Sequence, residues 1–279
     1  MARILQCGRF ELSLDRPLIM GVLNVTPDSF SDGGRYTEVD QALAHARQLI
    51  AEGVDILDVG GESTRPGSEA VNGKDELARL QPVLEALRDT GIPLSVDTCK
   101  PDVMRGVLEL DVDMINDIAG FEDQASIQAV ADKPCALCVM HMKGEPRTMQ
   151  HKPHYDDVVA EVREFLRQRT DRLLRAGVAA TRIVQDPGFG FGKTAAHNYT
   201  LLRRLPELYF DDYPWLVGVS RKTMIGHVTG REPQDRLAGS LAAALAGVDA
   251  GAAIVRVHDV AATRDAVAVW QAVKQGVSE

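Results

Sequence analysis

The sequence lacks a run of about 18 apolar residues, the length that a membrane-spanning helix needs. Its first eight residues also lack the long apolar region of a secretory signal, so we expect a cytoplasmic protein. It has no excess of positive charge either, because the formal net charge of the 279 residues is −9. An acidic protein is poorly suited to nucleic acid or to an anionic membrane, and we expect neither as a partner. An anionic substrate would therefore need a local group of cations.

Cysteine is scarce, with four residues in the whole chain. The spacing of Cys135 and Cys138 is compatible with a zinc or redox pair, but no second ligand pair accompanies it. Both lie in an apolar run over residues 135–140 that predicts a buried strand. Side chains three positions apart in a strand face opposite sides. We therefore interpret these cysteines as small core residues.

Short apolar runs alternate with amphipathic stretches from end to end. The apolar runs are residues 18–25, 54–59, 94–96, 114–115, 136–140, 183–184, 216–219 and 253–257. Helical patterns include residues 39–51, 77–87, 158–174, 236–245 and 260–273. Eight strands, each followed by a helix, within about 250 residues predict an α/β protein with a (β/α)8 TIM barrel. We predict one domain over residues 1–279, with a short hairpin at residues 4–14 that closes the barrel floor.

Polar or charged residues stand at the end of nearly every predicted strand. In chain order they are Asn24, Asp58, Asp97, Asn116, His141, Asp186, Ser220-Arg221-Lys222 and Arg256 with His258. A single one of them is readily explained as a helix cap or a turn residue. In a barrel, however, all of these strand ends converge on one mouth, where active sites lie. The repetition over eight strands therefore predicts an active site at that mouth.

Three loops on the same face carry further signals. Residues 24–34 and 61–68 are longer than usual strand-to-helix connections, and we interpret them as lids over the mouth. Residues 186–194 end in Gly-Lys-Thr like a nucleotide-binding loop, but Pro187 stands where that pattern requires glycine. We therefore predict a glycine-rich turn that lets Phe191 approach a flat ligand.

The charges at the mouth suggest two halves. Arg221, Lys222, Arg256 and His258 follow the last two strands, where many barrels bind phosphate, and predict an anion site. On the opposite arc, carboxylate and amide groups could bind the N–H donors of a 2-amino-4-oxo pyrimidine ring. The alternative is a metal site formed by Asp58, Asp97 and Asp186. The residues alone leave both interpretations open.

Two segments identify a resemblance to a known family. Residues 24–34 (NVTPDSFSDGG) and 58–67 (DVGGESTRPG) resemble the two signature segments of bacterial dihydropteroate synthases. Further similar segments follow in order at 95–98, 115–117, 140–142, 186–193, 220–222 and 256–260. The resemblance covers essentially the whole chain. It implies the same barrel, and a transferase that joins a pterin pyrophosphate to p-aminobenzoate in folate biosynthesis.

The resemblance also implies roles for particular residues. The pterin ring would be held by Asp97, Asn116, Asp186 and Lys222, with Thr64 near the mouth. Pyrophosphate would be bound by Arg256 and His258, with Asn24 contacting Mg2+ as the cofactor. The aminobenzoate pocket would be formed by Phe30, Arg65, Pro66 and Phe191. The residues expected to act in catalysis are Asp97, Asp186, Lys222, Arg256 and His258. Thr223 departs from the serine of many relatives, which predicts a modest change in aminobenzoate or sulfonamide fit.

Two other functions remain possible from the sequence. A pterin-binding methyltransferase domain would share the fold and the acidic ring contacts but would not need the pyrophosphate residues. An inactive paralogue would bind a pterin or a partner protein without turnover. The family also implies a homodimer formed through barrel helices, although the small residues of 237–246 are explained equally well by a core-facing helix.

Overall fold

The computed structural model describes residues 3–25, 35–62, 71–146 and 148–277. In this part of the chain eight parallel strands form one sheet. They are β3 (Leu18–Asn24), β4 (Ile56–Gly60), β5 (Leu94–Asp97), β6 (Met114–Asp117), β7 (Ala136–Met140), β8 (Ile183–Asp186), β9 (Leu216–Val217) and β10 (Ile254–Val257). Their order in the sheet is β8-β7-β6-β5-β4-β3-β10-β9. A parallel bridge between Gln185 and Trp215 brings the two outer strands together, so the sheet curls into a nearly closed barrel.

Helices connect consecutive strands and cover the outside of the sheet. They are α1 (Arg35–Ala51), α2 (Gly73–Leu87), α3 (Pro101–Leu108), α4 (Gln124–Val130), α5 (Val158–Arg175), α6 (Ala195–Arg203), α7 (Thr223–Thr229), α8 (Leu237–Asp249) and α9 (Val260–Gln275). The predicted (β/α)8 barrel is confirmed. Of these helices, none is long and apolar enough to cross a membrane.

The prediction differs from the structure most at the seventh strand of the barrel. Residues 216–219 were expected to be extended, but β9 contains only Leu216 and Val217. The chain turns directly afterwards, because the backbone N–H of Lys222 donates to the carbonyl of Val219 at 3.2 Å. Two helices, α7 and α8, then follow instead of one. This early turn places residues 220–222 at the barrel mouth.

The N-terminal hairpin consists of β1 (Ile4–Cys7) and β2 (Phe10–Ser13), as predicted. Gly8 occupies its turn with φ +58, and a Cβ there would lie 2.6 Å from the Cα of Asp113, just before β6. Leu5 and Cys7 pack among the residues that begin the barrel strands. The hairpin therefore closes the amino-terminal end of the barrel, opposite the mouth.

The core has two layers on either side of the sheet. The inner layer fills the barrel and includes Leu18, Met20, Ile56, Met114, Cys138, Val184, Leu216 and Ile254. The outer layer lies between sheet and helices and includes Leu57, Val59, Leu94, Val96 and Cys135. Cys135 and Cys138 thus fall in different layers, as the strand interpretation predicts, and both are buried free thiols.

Candidate active site

The site residues reach the mouth because side chains alternate across each strand. Ile56 packs inside the barrel, so Asp58, two residues later, also points inward but nearer the mouth. The same step of two leads from Met114 to Asn116, from Val184 to Asp186 and from Ile254 to Arg256. Each strand therefore contributes an apolar residue to the barrel core and a polar residue above it.

Strand register aligns three of the predicted residues in one row. Asn24 pairs with Gly60, Gly60 with Asp97, and Asp97 with Asn116 on successive strands. A Cβ at Gly60 would lie 3.4 Å from Oδ1 of Asn24 and 3.9 Å from Cβ of Asp97. The glycine therefore leaves open space between the amide of Asn24 and the carboxylate of Asp97.

Asp58 is the hydrogen-bonding centre of the site. Its fully buried carboxylate accepts from Ser95 Oγ at 2.6 Å and from Asn116 Nδ2 at 3.2 Å. It also accepts from Arg256 Nε at 2.6 Å. The sequence indicated Asp58 only as a strand end and a possible metal ligand. The period of two within β4 was the signal that could have placed it inside the barrel.

Arg256 crosses the mouth to the acidic arc. Its Nη2 donates to Asp97 Oδ2 at 3.2 Å, while Nε is bonded to Asp58. Burial lowers the pKa of Arg256, but the charges of Asp58 and Asp97 more than offset this, so its net pKa lies above the ordinary value. The strand order does separate cations from acids, as expected. The side chains do not stay separate, because a charge that is buried without a partner costs several kcal/mol or more.

Two oxygens of this cluster stand out. Oδ1 of Asp97 and Oδ1 of Asn116 are buried, and neither has a hydrogen-bond partner among the described residues. Burial raises the pKa of Asp97 to about 7; Arg256 opposes the rise, whereas Asp58 adds to it. A buried acceptor without a donor costs about 1–3 kcal/mol. The two oxygens are therefore suited to N–H donors of a bound molecule.

Asp186 and Lys222 complete the inner part of the mouth. Asp186 is buried, and one of its oxygens accepts from the backbone N–H of Gly188 at 2.7 Å. Burial raises its pKa, although the charge of Lys222 opposes the rise. The ammonium of Lys222 donates to the carbonyl of Phe189 and lies 4.9 Å from the ring centre of Phe191. Burial lowers the pKa of Lys222 to about 8 despite the nearby carboxylate of Asp186.

The remaining cations at the mouth have different surroundings. Nδ1 of His258 lies 3.0 Å from the hydroxyl of Ser220, and its backbone N–H also points to that oxygen. Arg221, by contrast, forms an ion pair with Asp259 and has φ +58. Arg221 thus contributes to the structure of the strand-end turns, which the sequence did not distinguish from anion binding.

The other predicted site residues are Thr223 and four residues outside the described ranges. Thr223 is the exposed first residue of α7, next to Lys222. Most residues of the predicted lids lie outside the described residues, and so do Phe30, Thr64, Arg65 and Pro66. The residues that the structure brings together are Asn24, Asp97, Asn116, Asp186, Phe191, Lys222, Arg256 and His258.

The alternative of a metal held by three carboxylates is not supported. The guanidinium of Arg256 lies between Asp58 and Asp97, where a shared metal ion would have to bind. Within the described ranges, no group of three or more His, Cys, Asp or Glu side chains could hold a metal ion. Asp58 and Asp97 instead bind the guanidinium of Arg256. Oδ1 of Asp97 and Oδ1 of Asn116 have no partner among the described residues.

A parallel barrel with a charged, hydrogen-bonding mouth defines a (β/α)8-barrel enzyme, and comparisons with known proteins specify its class. The family model described as pterin binding enzyme matches residues 20–258. Dihydropteroate synthase from Neisseria meningitidis serogroup C is 52% identical over 278 residues, which are 98% of each chain. The chain therefore belongs to the pterin-binding enzyme family and, within it, to the dihydropteroate synthases.

Solved structures agree with this assignment. The structure of Burkholderia cenocepacia dihydropteroate synthase complexed with 7,8-dihydropteroate is 54% identical, covers 98% of this chain and 97% of its own, and has a TM-score of 0.90. The Xanthomonas albilineans dihydropteroate synthase with 4-aminobenzoic acid is 50% identical, covers 99% of each chain and has a TM-score of 0.93. The predicted family and the predicted transferase activity are confirmed.

Proposed function

We propose that the chain condenses 6-hydroxymethyl-7,8-dihydropterin pyrophosphate with p-aminobenzoate, giving 7,8-dihydropteroate and pyrophosphate. The observation that carries this proposal is the pair of buried oxygens on Asp97 and Asn116 that have no partner among the described residues, at the same barrel mouth as the buried carboxylate of Asp186. A pterin ring presents adjacent N–H donors that match such acceptors. The relatives bound to dihydropteroate and to 4-aminobenzoic acid support the two halves of the reaction.

In this proposal four residues bind the pterin ring. Asp97, Asn116 and Asp186 accept from its N–H groups, and Lys222 donates to its acceptor atoms. The low exposure of the two aspartates strengthens these hydrogen bonds, since little water competes for them. Asp58 does not touch the ring; it holds Asn116 and Arg256 in place.

The pyrophosphate would lie beside Arg256 and His258. Arg256 uses Nε and Nη2 for the aspartates, which leaves Nη1 for phosphate oxygens. His258 directly follows β10, and Ser220 holds its ring through Nδ1. The imidazole can donate a proton to a phosphate oxygen or share one with it. These cations stabilise the negative charge that develops on the leaving group.

Asn24 fits the predicted role toward Mg2+. Its amide oxygen faces the open space above Gly60, and Mg2+ commonly takes only one or two protein oxygens, with phosphate and water as the other ligands. When bound, the ion would neutralise charge on the departing pyrophosphate. The absence of a carboxylate cage among the described residues is compatible with such a substrate-borne ion.

The reaction then proceeds by substitution at the pterin methylene. The carbon–oxygen bond breaks, pyrophosphate leaves with the electron pair, and the positive charge spreads into the ring, where Asp97 and Asp186 stabilise it. The amine nitrogen of p-aminobenzoate forms the new bond and releases its proton. We also propose that Phe191 and Thr223 border the aminobenzoate, together with Phe30, Arg65 and Pro66, while Thr64 contacts the pterin. One domain over residues 1–279, a homodimer and a cytoplasmic location remain predictions.

The decisive experiment measures pyrophosphate release from the pterin pyrophosphate with p-aminobenzoate and Mg2+. We expect turnover, dependent on all three components. Tight pterin binding without release would favour an inactive paralogue. Methyl transfer from a methylated folate without pyrophosphate release would favour the methyltransferase.

A variant of His258 tests the division of the site. His258→Ala should weaken binding of the pterin pyrophosphate by about tenfold, because one charge-assisted contact is lost. Binding of the pterin alcohol, which carries no phosphate, should be unchanged in calorimetry. Equal losses for the two ligands would contradict the assignment of His258 to the pyrophosphate.

A further inference from the structure

The lysine of the rejected nucleotide-binding pattern is one of the most deeply buried basic side chains in the described residues. Lys193 is 3% exposed, and its Nζ lies 2.8 Å from the carbonyl of Gly188 and 3.1 Å from that of Phe191. It also lies 2.8 Å from Nδ1 of His141. No ion pair of Lys193 with a carboxylate occurs in the part of the chain that the structure describes. Its side chain is instead enclosed by backbone carbonyls and an imidazole.

These contacts hold in either protonation state of the lysine. Burial lowers the pKa of Lys193 well below its ordinary value; burial also lowers the pKa of His141, and the charge of Lys193 adds to that shift. An ammonium would donate to both carbonyls and to Nδ1. A neutral amine would donate to the two carbonyls and accept from Nδ1–H. The amine thus fastens the turn of residues 187–192 from inside.

The glycines of this turn explain why it needs such an anchor. A Cβ at Gly188 would lie 1.8 Å from the carbonyl oxygen of His141, and one at Gly192 would lie 2.2 Å from that of Lys143. Both glycines have positive φ, at +67 and +63. Glycine permits this close approach but costs conformational entropy on folding. The contacts of Lys193 therefore offset the flexibility of the sequence that forms the turn.

The same turn contacts two of the residues that are proposed to bind the pterin ring. The backbone N–H of Gly188 donates to Asp186, and the carbonyl of Phe189 accepts from Lys222. The ring of Phe191 lies 4.9 Å from Nζ of Lys222. Lys193 donates to the carbonyl of Gly188, which precedes Phe189, and to that of Phe191, which is two residues after it. Lys193 therefore contacts the turn, and the turn contacts the residues that would bind the substrates.

We propose that Lys193 is a positioning residue, whose amine fixes the turn of residues 187–192 so that Phe189 and Phe191 hold Lys222 in place for the pterin ring. This inference rests on the proposed function of Lys222. It does not make Lys193 a catalytic residue, because its amine is directed to backbone carbonyls and His141. A lysine that served only to stabilise the fold would affect unfolding but not ligand affinity.

A double-mutant cycle separates the two roles. Lys193→Met keeps the length of the side chain and removes its hydrogen bonds, and Lys222→Met removes the group on which Lys193 is proposed to act. Lys133→Met is the matched control, because the side chain of Lys133 is 39% exposed and its only ion pair is with Glu109 at 3.4 Å among the described residues. For each variant, calorimetry gives the dissociation constant of the pterin alcohol at a temperature well below its own Tm.

We expect Lys193→Met to raise the dissociation constant about tenfold in the wild-type background. In the Lys222→Met background the same change should raise it less than about twofold, because the two residues act through one path. The KM for p-aminobenzoate should also rise through Phe191. Lys133→Met should change none of these values.

Two results would overturn the inference. One is a folded Lys193→Met protein whose pterin affinity equals that of the wild type. The other is an equal loss in both backgrounds. If Lys193→Met does not fold, Lys193→Gln, which retains two N–H donors, takes its place in the same cycle. A wild-type protein that bound no pterin would instead overturn the proposed function, which separates the two failures.

Discussion

The two ends of the barrel each bury an aspartate beside an arginine, but they use the pair differently. At the floor, Asp113 accepts from Arg9 Nε at 3.0 Å and Nη2 at 2.9 Å, and from the backbone N–H groups of Arg9 and Leu94 at 3.0 Å. At the mouth, Arg256 is shared between Asp58 and Asp97. One oxygen of Asp97 is left without a partner among the described residues.

This difference separates an ion pair with saturated oxygens from one that leaves an acceptor open among the described residues. The floor cluster saturates both oxygens of its carboxylate and ties the hairpin to two barrel strands. The mouth cluster is incomplete, which costs stability but prepares acceptors for a ligand. The floor should therefore respond to substitution mainly in stability and the mouth mainly in ligand binding.

The largest expected effect is at the floor. Asp113→Ala should lower the free energy of unfolding by about 3 kcal/mol, because the buried N–H of Leu94 loses its acceptor and Arg9 its partner. Pterin affinity of the folded protein should be unchanged. Urea unfolding measures the first quantity, with the exposed Glu109→Ala as control. A change in pterin affinity would break the distinction between floor and mouth.

Asp186→Ala should have the largest effect at the mouth. We expect the dissociation constant of the pterin alcohol to rise about 100-fold, since ring donors lose a charged acceptor in a buried place. Calorimetry measures the change at about pH 7.5, which lies between the pKa of Asp97, about 7, and that of Lys222, about 8. Retained affinity would count against the assigned ring contacts.

Asp97→Asn should sharpen the comparison further. Pterin affinity should fall about tenfold, because an amide is a weaker acceptor than a carboxylate. The free energy of unfolding should change by less than about 1 kcal/mol, since one carboxylate oxygen of Asp97 has no partner in the described ranges and Arg256 keeps its bond to Asp58. A loss of stability as large as that of Asp113→Ala would show that the mouth pair is structural as well.

The smallest effect concerns pH. Asp97 loses its proton as the pH rises through about 7, and Lys222 loses its proton as the pH rises through about 8. Pterin affinity should therefore rise as the pH passes through about 7 and decline as it passes through about 8, by roughly threefold on each side. In Asp97→Asn the rise should disappear while the decline remains. If pterin affinity of Asp97→Asn still rose through about pH 7, Asp97 would not be the group that causes the rise.

Much of this arrangement was predictable from the sequence. Parallel strands that end in polar residues placed Asn24, Asp97, Asn116 and Asp186 at the mouth, because strand direction and the period of two are local properties. Long-range contacts were not predictable in the same way. Nothing near Arg256 in the sequence indicates that its partners are Asp58 and Asp97, which are 198 and 159 residues away.

The role of Lys193 was missed for a related reason. Its neighbours in sequence suggested phosphate chemistry, whereas its partner His141 is 52 residues away. The pattern was rejected on Pro187, and no sequence signal remained to show what the lysine contacts. A buried lysine can be recognised only when the elements around it are assembled.

The bridge between Gln185 and Trp215 has a mechanical consequence for the barrel. It is the sole backbone pairing across the β8–β9 junction in the described residues, so this is the least reinforced junction between neighbouring strands. Asp186 and Lys222 extend from its two sides. A pterin ring bound by Asp186 and Lys222 would link the two sides of this junction. Backbone amides of β8 and β9 should then exchange their hydrogens more slowly in the complex than in the free protein.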